Sequence, residues 1–236
     1  MSVMGAARLV AGKDLRIEWR SRVLTNQALP FALLVLMLFA FALDPDRDTL
    51  RSATPGLFWV AVMFTAILAA QRSGAIEVAD GAGDSLRMSG LEPAGIFLGK
   101  AAALAIELLV LEALMMAGVV VLYDLDLRLE GLTVIVVTCL ATTVGLAAGS
   151  TIYGALAAGQ RVRDTLLPLL MLPVVAPILI ASTRAFEAGL ATNVPKNKMD
   201  TVNPADGWPW IGLIAVFGLV YVASGLLAYG PLQEDA

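Results

Sequence analysis

Two glutamates, Glu107 and Glu112, stand inside an apolar run from Ala101 to Leu122. A carboxyl there could carry a proton, face a cation, or exchange hydrogen bonds in a medium that screens charge poorly. Insertion scales put a central Asp, Lys or Arg at roughly +2.5–3.5 kcal/mol, and a glutamate should be of that order unless paired or protonated. Five residues is about 500° of helix rotation, so the two carboxyls point about 140° apart and cannot line one narrow path. Each is open to two readings: a group facing a polar cavity or partner, or a protonated or hydroxyl-bonded glutamate in a helix contact.

A second acidic set is Glu77, Asp80 and Asp84, spaced i, i+3 and i+7, which on a helix form one face. Leu86 and Met88 add apolar contacts beside Arg87, and Gly81 is one of four glycines, with Gly74, Gly83 and Gly90, that punctuate the stretch. Such a helix, docked in a groove of a soluble subunit, would pass motion into the spans it joins. Glycine costs about 1 kcal/mol in a helix interior, so composition alone favours a solvated loop.

Much chemistry is excluded. The chain has no histidine, which removes the commonest metal and haem ligand and the usual base near neutral pH. Its one cysteine, Cys139, allows no internal disulfide and reads as core packing. Gly95-Ile-Phe-Leu-Gly99-Lys100 resembles a phosphate loop, but its glycines are one residue too close and Ala101 stands where Ser or Thr would hold magnesium. No metal site, catalytic residue or nucleic-acid partner is expected, and any energy must come from elsewhere.

The elements that position these groups are apolar. Hydrophobic residues make up 58% of the 236 and charged ones 15%, against about 25% charged in an average soluble domain. Six stretches approach the 20 residues needed to cross a bilayer: Gln27–Leu43, Pro55–Ala70, Ala101–Leu122, Leu132–Leu156, Leu166–Thr183 and Trp208–Tyr229. The lead-in to the first is long and five more follow, so it reads as an anchor rather than a cleaved signal. The expected fold is an all-α integral membrane protein of six transmembrane helices, one permease domain over 1–236.

Lys and Arg set the orientation. Ten fall before the first span and in the second and fourth connections, six in the others. Both termini are therefore expected in the cytoplasm, with 1–26 a basic interfacial segment, 72–100 an inner loop and 184–207 the longest outer loop. Val10, Ile17 and Leu24 recur every seven residues beside Lys13, Arg16 and Arg20, as in a helix lying along the inner interface. Gly145, Gly149, Tyr153 and Gly154 in the fourth span suit a close helix crossing, within the chain or between subunits. Pro168, Pro173 and Pro177 interrupt the fifth span, either as a flexing, gating element or as a static kink.

Some residues carry a family likeness. Pro55-Gly56-Leu-Phe-Trp59-Val60-Ala61 continues to Gln71-Arg72; Asp80-Gly81, Asp84 and Leu86 follow, and Lys100 opens the next span. Leu167-Pro168 and Leu172-Pro173-Val174-Val175-Ala176-Pro177 also fit. On these the chain resembles the haem exporter protein B family, over essentially its whole length. Gly83 and Gly90 stand where that family usually has leucine and proline, and Asp84 where it has glutamate.

The resemblance implies a non-catalytic permease subunit of an ABC transporter complex, with an ABC-2-like bundle in the bacterial inner membrane. It implies three partners: a cytoplasmic ATPase that uses ATP, a haem-handling membrane subunit, and a haem chaperone of cytochrome c maturation. Haem is then a transported or handled species rather than a bound cofactor. The acidic segment Glu77–Arg87 becomes the expected ATPase-coupling element. Two alternatives remain: an ABC-2-type exporter half for another lipid or small molecule, and a proton-coupled secondary transporter using Glu107 or Glu112.

Overall fold

Lipid offers no partner for backbone N–H and C=O groups, so a crossing segment satisfies them internally, as a helix does. The computed structural model describes residues 2–22, 24–43, 46–79, 90–158 and 163–234, and no strand occurs among them. Its α-helices are α1 (Val3–Ser21), α2 (Leu29–Ala42), α3 (Arg47–Ala79), α4 (Pro93–Leu122), α5 (Leu129–Ala158), α6 (Arg163–Leu190) and α7 (Trp208–Glu234). Five of them, α3 to α7, are long and apolar enough to cross a membrane, and α1 with α2 qualifies as a sixth span bent by 52°. The protein is an all-α, multi-pass membrane bundle.

The first span differs from its expected form. Helix α2 has 14 residues, about 21 Å at 1.5 Å each, too short to cross ~30 Å of hydrocarbon. A π-helical turn at Leu24–Ala28 links it to α1, and the two helices together are long and apolar enough for one bent span. Helix α1 packs lengthwise on the first half of α4: an added Cβ at Gly95 would lie 2.6 Å from Ala6 Cβ, and one at Gly99 2.6 Å from Val10 Cβ. Glycine is required at both places for this close, parallel approach. The opposite side of α1 exposes Arg8, Arg16, Trp19 and Arg20.

Helix ends also lie beyond the apolar runs. Hydropathy marks hydrocarbon thickness, whereas caps end helices. Helix α3 continues past Ala70 to Ala79, and α4 starts at Pro93 rather than Ala101. Pro93 fits the first helical turn because its φ is already helical and its missing N–H would be unbonded there. Ahead of it Gly90 adopts φ +65°, which proline cannot reach. Much of the stretch 72–100 is therefore helix. At the other end α6 runs on to Leu190, and 3-10 turns at Lys196–Thr201 and Pro204–Gly207 shape the expected loop 184–207.

Helix α5 is the hub, packing on α3, α4, α6 and α7. An added Cβ at Gly145 would sit 3.5 Å from Gly218 Cα on α7 and 2.6 Å from Ile178 Cδ1 on α6. The small residues of α5 thus serve crossings within the chain. Helix α6 is continuous through Pro168, Pro173 and Pro177. Pro177 leaves the Pro173 carbonyl without its helical donor, and beside it the Val174 carbonyl accepts the Tyr221 hydroxyl from α7.

The bundle has two ends. Phe97 packs on Tyr229 with ring centroids 5.6 Å apart, and Gly230 lies against Pro93. Because α1 starts beside Gly95 as well, α1 and α7 bring both chain termini to this near end. The far end holds the start of α3, the end of α4 and the 3-10 turns.

Candidate functional site

Three polar places stand out among the described residues. The first is mid-bundle. Glu112 is 2% exposed, and Thr143 of α5 donates its hydroxyl to Glu112 Oε1 at 2.6 Å. The Cys139 thiol also faces the carboxyl, while Oε2 has no hydrogen-bond partner. One residue earlier on the same helix, Thr142 is joined to Ser182 of α6 at 2.5 Å. The two contacts give α5 polar links to α4 and to α6.

The second place is the junction of α1, α3 and α4. Arg72 Nη1 lies 3.4 Å from Glu18 Oε2, and Glu107 shares the field of Glu18, Asp14 and Arg72. Lys13 pairs with Asp14 at 3.0 Å. Glu107 and Glu112 therefore face different helices, as their spacing requires.

The third place is a cavity of about 360 Å³ at the far end, lined by Arg47, Asp48, Arg51, Tyr123 and Asp124. Two local structures shape it. Asp46 caps α3 by accepting the Thr49 N–H at 3.0 Å and the Thr49 hydroxyl at 2.5 Å, and these bonds hold its carboxyl below the usual range. Helix α4 ends in a left-handed turn, with Asp124 at φ 50° and the Leu125 N–H returning to the Val120 carbonyl at 3.3 Å. Tyr123 donates its hydroxyl to the Leu36 carbonyl of α2 at 2.9 Å, and burial pushes its phenol up to about 12.

Arg51 forms the buried wall at 4% exposure. Its Nη2 donates to Met199 Sδ at 3.0 Å, a weak acceptor. Its Nε and Nη1 have no hydrogen-bond partner. Arg128 holds the Met199 segment in place through the Met199 and Val202 carbonyls, at 2.9 and 3.1 Å.

The remaining expected residues are dispersed. Pro55 and Gly56 lie inside α3, where Pro55 offers no N–H to the Arg51 carbonyl. Trp59 is a core residue, its ring 5.3 Å from Phe58 and 4.9 Å from Phe186. Val60 is 44% exposed on the outer face of α3. Lys100 is buried two turns into α4. Asp80, Gly81, Asp84, Leu86 and Arg87 lie outside the described residues, and Glu77 is placed only by its backbone near the end of α3. Pro168 is likewise placed by backbone alone.

A family model described as CcmB protein matches residues 5–202. The chain belongs to the CcmB family. Among its relatives, the Heme exporter protein B of Haemophilus influenzae is 30% identical over 183 residues, covering 78% of this chain and 81% of that protein. The Heme exporter protein B of Paracoccus denitrificans is 30% identical over 181 residues, 76% of this chain and 81% of its own length. That of Pseudomonas aeruginosa is 28% identical over 182 residues, with 77% and 81% covered. The resemblance carried by Pro55-Gly56, Trp59-Val60 and Arg72 is thus upheld for the CcmB chain as a whole.

Sequence reasoning missed Arg51 and Tyr123, and the partners of Glu107 and Glu112. Arg51 had a signal: an arginine four residues before a proline, one turn from a span's polar edge. Thr143 had none, because threonine is common in helix contacts that need no acid. Asp14 and Glu18 did have a signal: their i, i+4 spacing puts both on one face of α1, the face turned to Glu107 of α4.

Proposed function

We propose that this CcmB-family chain is the permease subunit of an ABC transporter complex in the bacterial inner membrane, serving haem export or haem-chaperone loading during cytochrome c maturation. The observation that carries this reading is the family match over 5–202, joined by relatives named for haem export. ATP would be hydrolysed by a separate cytoplasmic subunit. The near end of the bundle faces the cytoplasm in this reading, in keeping with ten of the sixteen Lys and Arg residues.

The fold supports a mechanical role. Helices α3 and α4 run as single rods from the near end deep into the bundle, with the segment 80–92 between them. A push on that segment moves both rods. Through Arg72 and Glu18 it also reaches α1, and through Glu112 and Thr143 it reaches α5. With no histidine in the chain, a histidine-ligated haem must be held by another subunit. Energy coupling that loads or releases a haem chaperone suits this chain better than direct haem ligation.

The test is co-purification. Charge reversal at both Asp80 and Asp84 should lower recovery of the ATPase subunit and the yield of c-type cytochromes, while membrane insertion stays intact. Full recovery of the ATPase with the reversed charges would argue against docking at this segment.

A further inference from the structure

A guanidinium keeps its charge in a protein interior. Burying it without an anion is costly, and a buried polar group lacking partners points to a missing water or ion. Arg51 is such a group. It is 4% exposed, two of its three nitrogens are unbonded, and the third meets only a thioether. No ion pair forms at Arg51 among the described residues. Its side chain lines the far-end cavity, whose exposed rim carries Arg47, Asp48 and Asp124. The cavity thus presents a buried cation within and, at its mouth, two carboxylates beside a second cation.

Its depth is fixed by its neighbours. Val121, two residues before Tyr123, is 80% exposed and apolar, which suits contact with lipid tails. Asp124 and Arg128 follow within two turns' length of chain. The cavity therefore lies where the hydrocarbon gives way to water, the level of phospholipid headgroups. Pro55 sets the α3 wall, since the turn that holds Arg51 lacks one helix hydrogen bond. The Asp46 carboxylate already takes the Thr49 N–H at the start of α3, and the attraction for an anion rests on the Arg51 side chain.

We propose that this cavity binds the headgroup of a zwitterionic phospholipid, phosphatidylethanolamine in a bacterium. Arg51 takes the phosphate through its unbonded N–H groups, and the ammonium meets the rim at Asp48. An anionic headgroup such as phosphatidylglycerol would satisfy Arg51 equally but bring no positive charge to a rim whose carboxylates outnumber its one cation. The site therefore selects by the second charge. Headgroup occupancy would brace the start of α3 against the end of α4 at the end of the bundle away from the segment 80–92. This inference does not rest on the proposed haem role.

Native mass spectrometry of the full chain, extracted in mild detergent with any subunits that co-purify, tests it directly. Purified phosphatidylethanolamine and phosphatidylglycerol are added in turn, with inorganic phosphate as a third arm. The wild type should retain phosphatidylethanolamine over phosphatidylglycerol. Arg51→Gln should cut that retention about tenfold, the loss of one charge-assisted phosphate contact. Arg51→Lys should keep part of it, and Asp48→Asn should erode the preference by about threefold while the chain still folds. Because Asp48 is exposed, that variant decides the matter even if Arg51→Gln fails to accumulate. Unchanged lipid retention in Arg51→Gln, or equal retention of the two lipids, overturns the proposal. So does protection from heat by inorganic phosphate alone, which would mark a free oxyanion site. Loss of a co-purifying protein with lipid retention intact would assign Arg51 to a partner's carboxylate instead.

Discussion

Glu107 and Glu112 share a helix, a residue type and nearly the same depth, yet they occupy opposite kinds of site. Glu112 is sealed against α5, with one short hydroxyl bond and no cation among its named neighbours. Glu107 is half-buried where α1, α3 and α4 meet, in the field of Arg72 and two further carboxylates. A rotation of about 140° along α4 separates a single-bond contact in a dry interior from a shared charge cluster. The difference teaches that what an intramembrane acid can do depends on the helix it faces. At Glu112 energy resides in satisfying one oxygen. At Glu107 it resides in the balance of several charges.

The largest effect should come from placing a cation where Glu112 stands. Glu112→Lys would leave a buried charge facing Thr143 and Cys139 with no anion, a defect of about 3–5 kcal/mol. The variant should fail to survive as a monodisperse species after mild heating in detergent, while Glu107→Lys, facing Asp14 and Glu18, should survive. If both behave alike, the two sites are not distinct. A smaller effect is expected from Thr143→Val, which removes the hydroxyl donor and leaves the acid only the weak Cys139 thiol, at about 1–3 kcal/mol. Adding Glu112→Leu to that variant should recover most of the loss, since two apolar partners need no hydrogen bond. A double-mutant cycle on thermal unfolding reads this coupling, and strict additivity would show that the hydroxyl bond contributes nothing.

This contrast was only partly legible beforehand. The spans followed from hydropathy because lipid demands about 20 apolar residues per crossing, and five of the six expected stretches lie in helices of sufficient length. The angular separation of the two glutamates also followed from spacing alone. Their partners did not, because helix rotation relative to neighbours depends on three-dimensional packing. Gly95 and Gly99 show why: within the failed phosphate loop they read as chance, whereas they let α1 approach α4 and bring Asp14 and Glu18 to Glu107. Arg51 escaped notice for a related reason. It lies outside the expected span Pro55–Ala70, and its contact with Met199, 148 residues away in the chain, is set by the fold.

The smallest effect belongs to the charge cluster, and its salt dependence separates it from Glu112 most sharply. The Arg72–Glu18 contact is partly exposed, and such pairs contribute about 0–1 kcal/mol. Arg72→Gln should therefore cost less than Thr143→Val, even though it removes a whole charge. Its cost has a second component: without Arg72 the carboxylates Asp14, Glu18 and Glu107 repel one another. Adding Glu107→Gln to Arg72→Gln removes one of the three and should return part of the lost stability. The Debye length falls from about 10 Å at 0.1 M salt to about 3 Å at 1 M, so the Arg72→Gln deficit should shrink between those conditions. The Thr143→Val deficit, arising from a dry hydrogen bond, should not move. Melting curves of both variants at the two salt concentrations make the comparison, and a Thr143→Val deficit that faded with salt would place Glu112 in the same screened setting as Glu107.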